Sequence, residues 1–380
     1  MFRLLSFYSP IALLHLYVAV RVLPDLHLTA LFAALAVWLL ASTFLIPFAF
    51  NSRRGNRGPF LHALAWVGLI AMGMFSSLFV LTLLRDVALV GGFTLSLFFQ
   101  IEEPLQQFRN WSADAVPLLA TLFTAVGFVN ARRRAQVRSV DVPIADLPAA
   151  LHGFTIAQIS DIHIGTTIKG HHLGAIVDAV NALNADMIAV TGDLVDGSVA
   201  ELSLHTESLS RLSARHGTFF VTGNHEYYSG AHSWIEEIER LGLRVLMNEH
   251  VVLQHEGSDV VVAGVTDFNA AHFDESHRSD PAAAIAGAPA GAGVNLLLAH
   301  QPRSAFAAHT AGYHLQLSGH THGGQFLPWN FFVRFQQPFT AGLHRLGELW
   351  VYVSRGTGYW GPPKRLGAPS EITKLTLVLA

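Results

Sequence analysis

The sequence predicts an α/β protein in two parts: transmembrane helices first, then layered β-sheets with helices outside. Three observations carry that expectation. Four long apolar stretches fall within residues 1–138, and short β-rich runs alternating with helical periodicity begin at about Ser139. Five polar islands each follow one of the apolar runs of the second part. Alternating βα units followed by clustered strands are the pattern of sheets covered by helices.

The composition is skewed, with 51% hydrophobic and 13% charged residues among 380, and the skew is local. Residues 1–138 carry 11 Arg, no Lys and 5 Asp or Glu, a balance of +6; the remainder carries 13 basic and 22 acidic residues, a balance of −9. The acidic excess suits a metal-binding domain and equally an ordinary solvated surface. It lacks the basic footprint of a nucleic-acid binder, so no nucleic-acid partner is expected. With no Cys, disulfides and thiolate metal sites are excluded.

Residues 4–22 and 27–50 are apolar stretches that approach or exceed the roughly 20 residues needed to span a bilayer. A third runs from Leu61 to Leu84 and stops at Arg85-Asp86, which reads as a charged pair at headgroup level, with an intramembrane functional site as the alternative. A fourth runs from about Trp111 to Val129. Between them Val87 to Gln100 is apolar for only about 14 residues, a length typical of re-entrant or interfacial segments. Arg53, Arg54 and Arg57 follow the second stretch, and Arg132, Arg133, Arg134 and Arg138 follow the fourth. Positive-inside logic places both clusters in the cytoplasm, which needs an even number of crossings between them. The expectation is therefore about four helices, a multi-pass cell-membrane protein, and a second part on the cytoplasmic face.

From Ser139 onward the strands are expected at Phe154–Ile159, Met187–Val190, Thr218–Val221, Val251–Leu253, Val260–Val265, Val294–Leu298, His314–Leu317, Leu349–Val353 and Ile372–Leu379. Helices are expected at His172–Leu183 and Ser233–Leu241, where apolar residues recur at helical spacing. Pro281 to Gly293 reads as a loop, or as a short helix followed by a flexible connection.

The polar islands begin where strands stop. After TIAQIS comes Asp161-Ile-His163, whose alternate positions can both turn into one site as the chain leaves the sheet. After MIAVT comes Gly192-Asp193-Leu-Val-Asp196, where one carboxylate can bridge two cations and the glycine permits close backbone approach. FFVTGNHEYY brings an amide oxygen, Asn224, suited to a hard cation, and next to it His225, which can face a leaving group. LLLAHQP delivers His300, and LQLSGHTHGGQ delivers His320 and His322. Each island is weak alone. Together they offer the ligands of a two-metal hydrolase site, arriving from several strand-end loops.

In this order the phrases ISDIHIG, VTGDLVDG, GNHEYY, LAHQP and SGHTHGGQ, with the tail VSRGTGYWGPPKRLGAPSEITKL, resemble the calcineurin-like metallophosphoesterase family, bacterial membrane-associated phosphohydrolase branch. The resemblance covers roughly residues 150–380. It implies a four-layer αββα metallophosphoesterase sandwich over residues 139–380, behind a multi-span transmembrane region at 1–138. It implies Asp161, His163 and His322 on one metal, Asn224, His300 and His320 on the other, Asp193 as the bridge, and His225 as proton donor or transition-state stabiliser. The implied cofactors are two divalent ions, and mixed His, Asn and carboxylate ligation suits manganese, iron or zinc better than calcium. The implied chemistry is attack by a metal-bridging hydroxide on a phosphoester, with no protein nucleophile.

A phosphodiester or pyrophosphate is the expected substrate, and membrane tethering points to a lipid-linked one. The rivals are a phosphomonoesterase, a membrane metal sensor or scaffold without turnover, and a transporter with a regulatory soluble domain. Asp196 and Glu226 are expected to orient ligands. His171, His172, His216, His232, His272 and His277 read as surface or satisfied core residues. Arg303, Arg355, Lys364 and Arg365 read as phosphate contacts or as solvated charge.

Overall fold

The computed structural model describes residues 2–51 and 58–380, with the side chains of residues 8–50 and 58–380. Arg53, Arg54 and Arg57, on which the orientation expectation partly rests, lie outside the described residues. The chain divides into two compact units, Met1–Asn130 with Gly361–Lys364, and Ala131–Trp360 with Arg365–Ala380.

The first unit contains α1 (Phe2–Val22), α2 (Thr29–Asn51), α3 (Pro59–Ser96) and most of α4 (Glu102–Arg132). Among the described residues, Thr29–Phe50, Pro59–Ser96 and Glu102–Arg132 are long and apolar enough to cross a membrane. Val18, Leu35, Leu39, Leu78, Val116 and Ala120 form the buried seam of the helices. Gly68 allows α3 to approach α2, since a Cβ there would lie 2.7 Å from the Ala49 Cβ, and small residues are what permit close helix packing in lipid.

One expectation is corrected here. Arg85-Asp86 does not end the third helix, and Val87 to Gln100 is not a separate re-entrant segment; α3 runs on to Ser96 over 38 residues. At 1.5 Å per residue it is about 57 Å long, well beyond the ~30 Å hydrocarbon core. The pair is tolerated inside the helix because its charges are matched. Buried Arg85 donates to Asp25 Oδ2 at 2.5 Å, to Ser112 Oγ and to the Arg21 and Arg109 carbonyls. Asp86 accepts from Arg21 and from the Tyr17 hydroxyl.

The second unit holds two six-stranded sheets. Its elements in order are β1 (Gln136–Ile144), β2 (Thr155–Ile159), α5 (Gly170–Asn181), β3 (Met187–Val190), α6 (Val199–Thr206), β4 (Thr218–Phe220), α7 (Asn224–Ser229), α8 (Ala231–Arg240) and β5 (Arg244–Val245). There follow β6 (Glu249–His255), β7 (Ser258–Gly264), α9 (Pro281–Ile285), β8 (Val294–Leu298), α10 (Ala305–Thr310), β9 (Leu315–Ser318), β10 (Gly342–Leu346), β11 (Leu349–Val353) and β12 (Glu371–Leu379). One sheet has the order β1-β12-β2-β3-β4-β5, the other β10-β11-β9-β8-β7-β6. The central runs β2-β3-β4-β5 and β11-β9-β8-β7 are parallel.

Parallel strands buried on both faces read as continuous apolar runs, and alternate residues divide between two cores. In β3, Met187 and Ala189 join Ile156, Val262, Leu296 and Leu317 between the sheets. Ile188 and Val190 face outward onto Leu173 and Ile176 of α5 and Trp234 and Ile238 of α8. In β8, Leu297 packs outward with Ala284 of α9 and Ala305 and Ala308 of α10. The result is the αββα layering, and all nine expected strands and both expected helices are present. β1, β5 and β10 were not foreseen. β1 starts before Ser139; its first half is exposed, and only Val140, Val142 and Ile144 alternate toward the core, with Pro143 between the last two as a strand-disfavouring signal.

Candidate metal centre

The polar islands sit at the carboxyl ends of parallel strands from both sheets. Asp161 and His163 follow β2, Asp193 follows β3, and Asn224 and His225 open α7 after β4. His300 follows β8, and His320 and His322 follow β9. Carboxyl ends of parallel strands are where open α/β sheets gather ligands, because the loops there diverge and leave a crevice.

The chain is turned sharply at these positions. Asp161, His163, Asp193, His320 and His322 all have positive φ, between 51° and 70°. For residues with a Cβ this left-handed backbone is strained, and it persists only where the surroundings enforce it; such strain gathers at functional sites. Gly192 and Gly223 make the tight crossing of two loops possible. A Cβ on Gly192 would sit 2.7 Å from Gly223 N, and one on Gly223 would collide with the Asp193 carboxylate.

These turns converge the side chains. Asp161, His163 and His322 offer ligand atoms within 4.8 Å of one another, as do Asp193, His300 and His320, and also His163, Asp193 and His225. His163 Nε2 is 3.0 Å from His322 Nε2, which is 3.5 Å from Asp161 Oδ1. Asp193 Oδ2 is 3.2 Å from His300 Nε2 and 3.8 Å from His163 Nε2, so it lies between the two groups.

The donor set fits divalent cations. Among the described residues Asn224 Oδ1 is buried without a hydrogen-bond partner, an arrangement that costs about 1–3 kcal/mol unless something electropositive meets the oxygen. His300 Nδ1 is 2.8 Å from the Thr191 carbonyl, a contact only an N–H can make, so an ion would meet Nε2. Without one, burial opposes its charge but Asp193, 3.2 Å away, raises His300 well above the usual imidazole range, and an ion would displace the Nε2 proton. Burial and the neighbouring charge of His300, against the attraction of Asp193, depress His320 to about 3, so its imidazole is neutral and able to ligate. Burial opposes ionisation of Asp193, but His300 and His225 hold its carboxyl well below the usual carboxylate range.

The residues around the candidate ligands are equally ordered. Glu226 accepts from the backbone N–H of Asp193, Leu194 and Gly223 at 3.0, 2.8 and 2.7 Å. Burial and the nearby Asp193 carboxylate push its own carboxyl up to about 7. Asp196 Oδ1 lies 3.2 Å from His163 Nδ1 and 2.5 Å from His225 Nδ1. Burial would lower His225, yet Asp193 and Asp196 outweigh it and raise the imidazole to about 9. We expect Glu226→Gln to leave one of three backbone N–H groups facing an amide NH₂ and to weaken metal retention roughly 10–100-fold. Chelator competition on the purified protein checks this; unchanged affinity would show that the carboxylate does not position Asp193.

Arg365 is not the solvated charge that one of its two readings expects. It is 1% exposed, donates to the carbonyls of His322 and Arg355, and places Nη2 3.1 Å from His322 Nδ1. Arg355 pairs with buried Glu371 at 2.9 Å. Both arginines support the last ligand loop, a role that follows from tertiary packing and leaves no signal in the local sequence.

A family model described as calcineurin-like phosphoesterase matches residues 154–324. A zebrafish (Danio rerio) transmembrane protein with metallophosphoesterase domain is 38% identical over 272 residues, 68% of this chain and 62% of that protein. An uncharacterized metallophosphoesterase of Campylobacter jejuni is 36% identical over 250 residues, 65% of this chain and 64% of that one. The chain thus spans less than two thirds of the length of these relatives. An uncharacterized metallophosphoesterase of Aquifex aeolicus is 30% identical over 224 residues, 58% of this chain and 84% of that protein. Identity at that level over most of a relative's length extends well past the short motifs, and the chain belongs to the calcineurin-like metallophosphoesterase family.

Proposed function

We propose that the protein is a multi-pass membrane enzyme that hydrolyses a phosphodiester or pyrophosphate of a lipid-linked substrate, with two divalent ions among manganese, iron and zinc. The observation that supports it best is the pairing of His225 with Asp196 beside the ligand groups, since a site that merely stored metal would have no use for an oriented proton donor. Asp161, His163 and His322 would hold one ion, Asn224, His300 and His320 the other, and Asp193 both. Bound there, the ions would supply Lewis-acid stabilisation of phosphoryl charge and acidify a water.

The chain's own residues do the rest. Asp196 fixes His225 through Nδ1 at 2.5 Å, so the proton on Nε2 is the one available to the departing alkoxide. The His225 backbone N–H donates to Asp193 Oδ1 at 2.8 Å, which ties the donor to the bridging carboxylate. Glu226 keeps that carboxylate's loop in place.

The substrate reading is tested in detergent with manganese. Nitrophenol should be released from a bis-ester at least ~10-fold faster than from a mono-ester, a difference of about 1.4 kcal/mol in the barrier. The opposite preference would sink the diester reading and favour a phosphomonoesterase. For the membrane side, the Arg132, Arg133 and Arg134 cluster at the end of α4 supports a cytoplasmic second unit. A carboxy-terminal reporter fusion should report the cytoplasm; a periplasmic signal would overturn the orientation.

A further inference from the structure

Two histidines taken from the sequence as surface or core residues, His232 and His277, come together with Asp274. One ligand atom from each lies within 4.8 Å of the others, and none of the three belongs to the groups described above. We propose that His232, Asp274 and His277 form a further metal site, which takes a zinc-class divalent ion with water completing its coordination.

The geometry suits that ion. Asp274 Oδ2 is 3.1 Å from His232 Nε2 and 4.0 Å from His277 Nε2. A tetrahedral ion with ligands at about 2.1 Å places them about 3.4 Å apart, a value between the two separations. Two imidazoles and one carboxylate with an open fourth position form a familiar zinc ligand set.

The ligands are also aimed from outside. Asp274 Oδ1 accepts from Ser276 N–H at 3.0 Å and Ser276 Oγ–H at 2.6 Å, which leaves Oδ2 for the site. His277 Nδ1 is 2.9 Å from the Tyr227 hydroxyl. A hydroxyl can accept from Nδ1–H, and in that tautomer the Nε2 lone pair faces His232 and Asp274. The Thr266 hydroxyl donates to the His277 carbonyl at 2.7 Å and steadies the backbone.

An ion there would tie the start of α8 to the loop that carries Phe273. Phe273 rests on Tyr228 with ring centroids 5.6 Å apart, and Tyr228 rests on His225 at 5.1 Å. Occupancy therefore stiffens the aromatic wall beside His225, without supplying a group to the reaction.

The test is zinc content of the full-length protein in detergent, equilibrated at a buffered free zinc concentration and passed through gel filtration. The His232→Ala/His277→Ala variant should carry one zinc equivalent less than wild type, and the same pair of changes should remove one equivalent from Asp193→Asn. Equal zinc within both pairs overturns the site. The His232 side chain is 71% exposed, so His232→Ala alone leaves packing intact and should weaken binding of that equivalent at least ~10-fold. Unchanged affinity in that variant overturns the proposal equally.

Discussion

Asp193→Asn is expected to lower turnover by on the order of 10³-fold and to release metal, with the fold retained. The substitution keeps the shape and the Oδ1 acceptor that meets the His225 backbone N–H. What it removes is the negative charge that faces His163, His225 and His300 from one oxygen. Lewis-acid assistance is worth several kcal/mol of transition-state stabilisation, and each 1.36 kcal/mol is about a factor of ten. The loss should therefore exceed what one missing hydrogen bond explains. Metal content by mass spectrometry and hydrolysis of a nitrophenyl diester are measured on the same preparation. Wild-type metal and wild-type rate together would remove Asp193 from the centre of the site.

Much of this architecture can be read from the sequence because buried parallel strands leave it uninterrupted. IAV in β3 and LLL in β8 are apolar at every position, since each strand faces a core on both sides. The candidate ligand islands are visible for a related reason: a polar residue after one such run is an ordinary turn, but five such islands rich in His, Asp and Asn are more than turn chemistry asks for. What stays hidden depends on contacts between distant segments. QVRSVDVPI gives a weak strand signal, a short alternation at Val140, Val142 and Ile144 interrupted by Pro143, but it pairs in register with β12 from Gln136↔Glu371 to Ile144↔Leu379. Arg85 looks like the end of a helix because hydropathy counts its charge and cannot see Asp25, 60 residues away. The positive φ of Asp161, His163, Asp193, His320 and His322 is only weakly legible, since none is glycine, and the several-fold preference of Asp and His for that backbone over other side-chain-bearing residues still leaves it uncommon.

The close crossing of the two loops explains why Gly192 and Gly223 accompany the candidate ligands, and the strained residues beside them need an opposing gain. Holding five side-chain-bearing residues in left-handed backbone costs of order 1–3 kcal/mol each, and the opposing hydrogen bonds have to come from the loops themselves. Those bonds are present: Asp161 N–H donates to the Gly192 carbonyl at 3.0 Å, His163 N–H to the Asp193 carbonyl at 3.1 Å, and His320 N–H to Asp161 Oδ1 at 2.9 Å. Each island is thus braced by another island. The site is one cooperative unit, and changes at two of its positions should combine non-additively.

His225→Ala separates catalysis from metal binding. The variant keeps the backbone N–H that donates to Asp193 and loses only the imidazole, so metal content should stay at the wild-type level. Turnover should fall by about 10²–10⁴-fold, the usual contribution of a positioned general acid. The loss should depend on the leaving group. A nitrophenolate leaves without much help from a proton, whereas an alkoxide does not, so an alkyl diester should suffer the larger loss. Asp196→Asn should move in the same direction by less, because it loosens the imidazole held at 2.5 Å without deleting it. The geometry contains the alternative as well, since His163, Asp193 and His225 also converge within 4.8 Å. If His225→Ala loses metal in proportion to activity, and both esters slow equally, His225 is a ligand and the proton donor must be sought elsewhere.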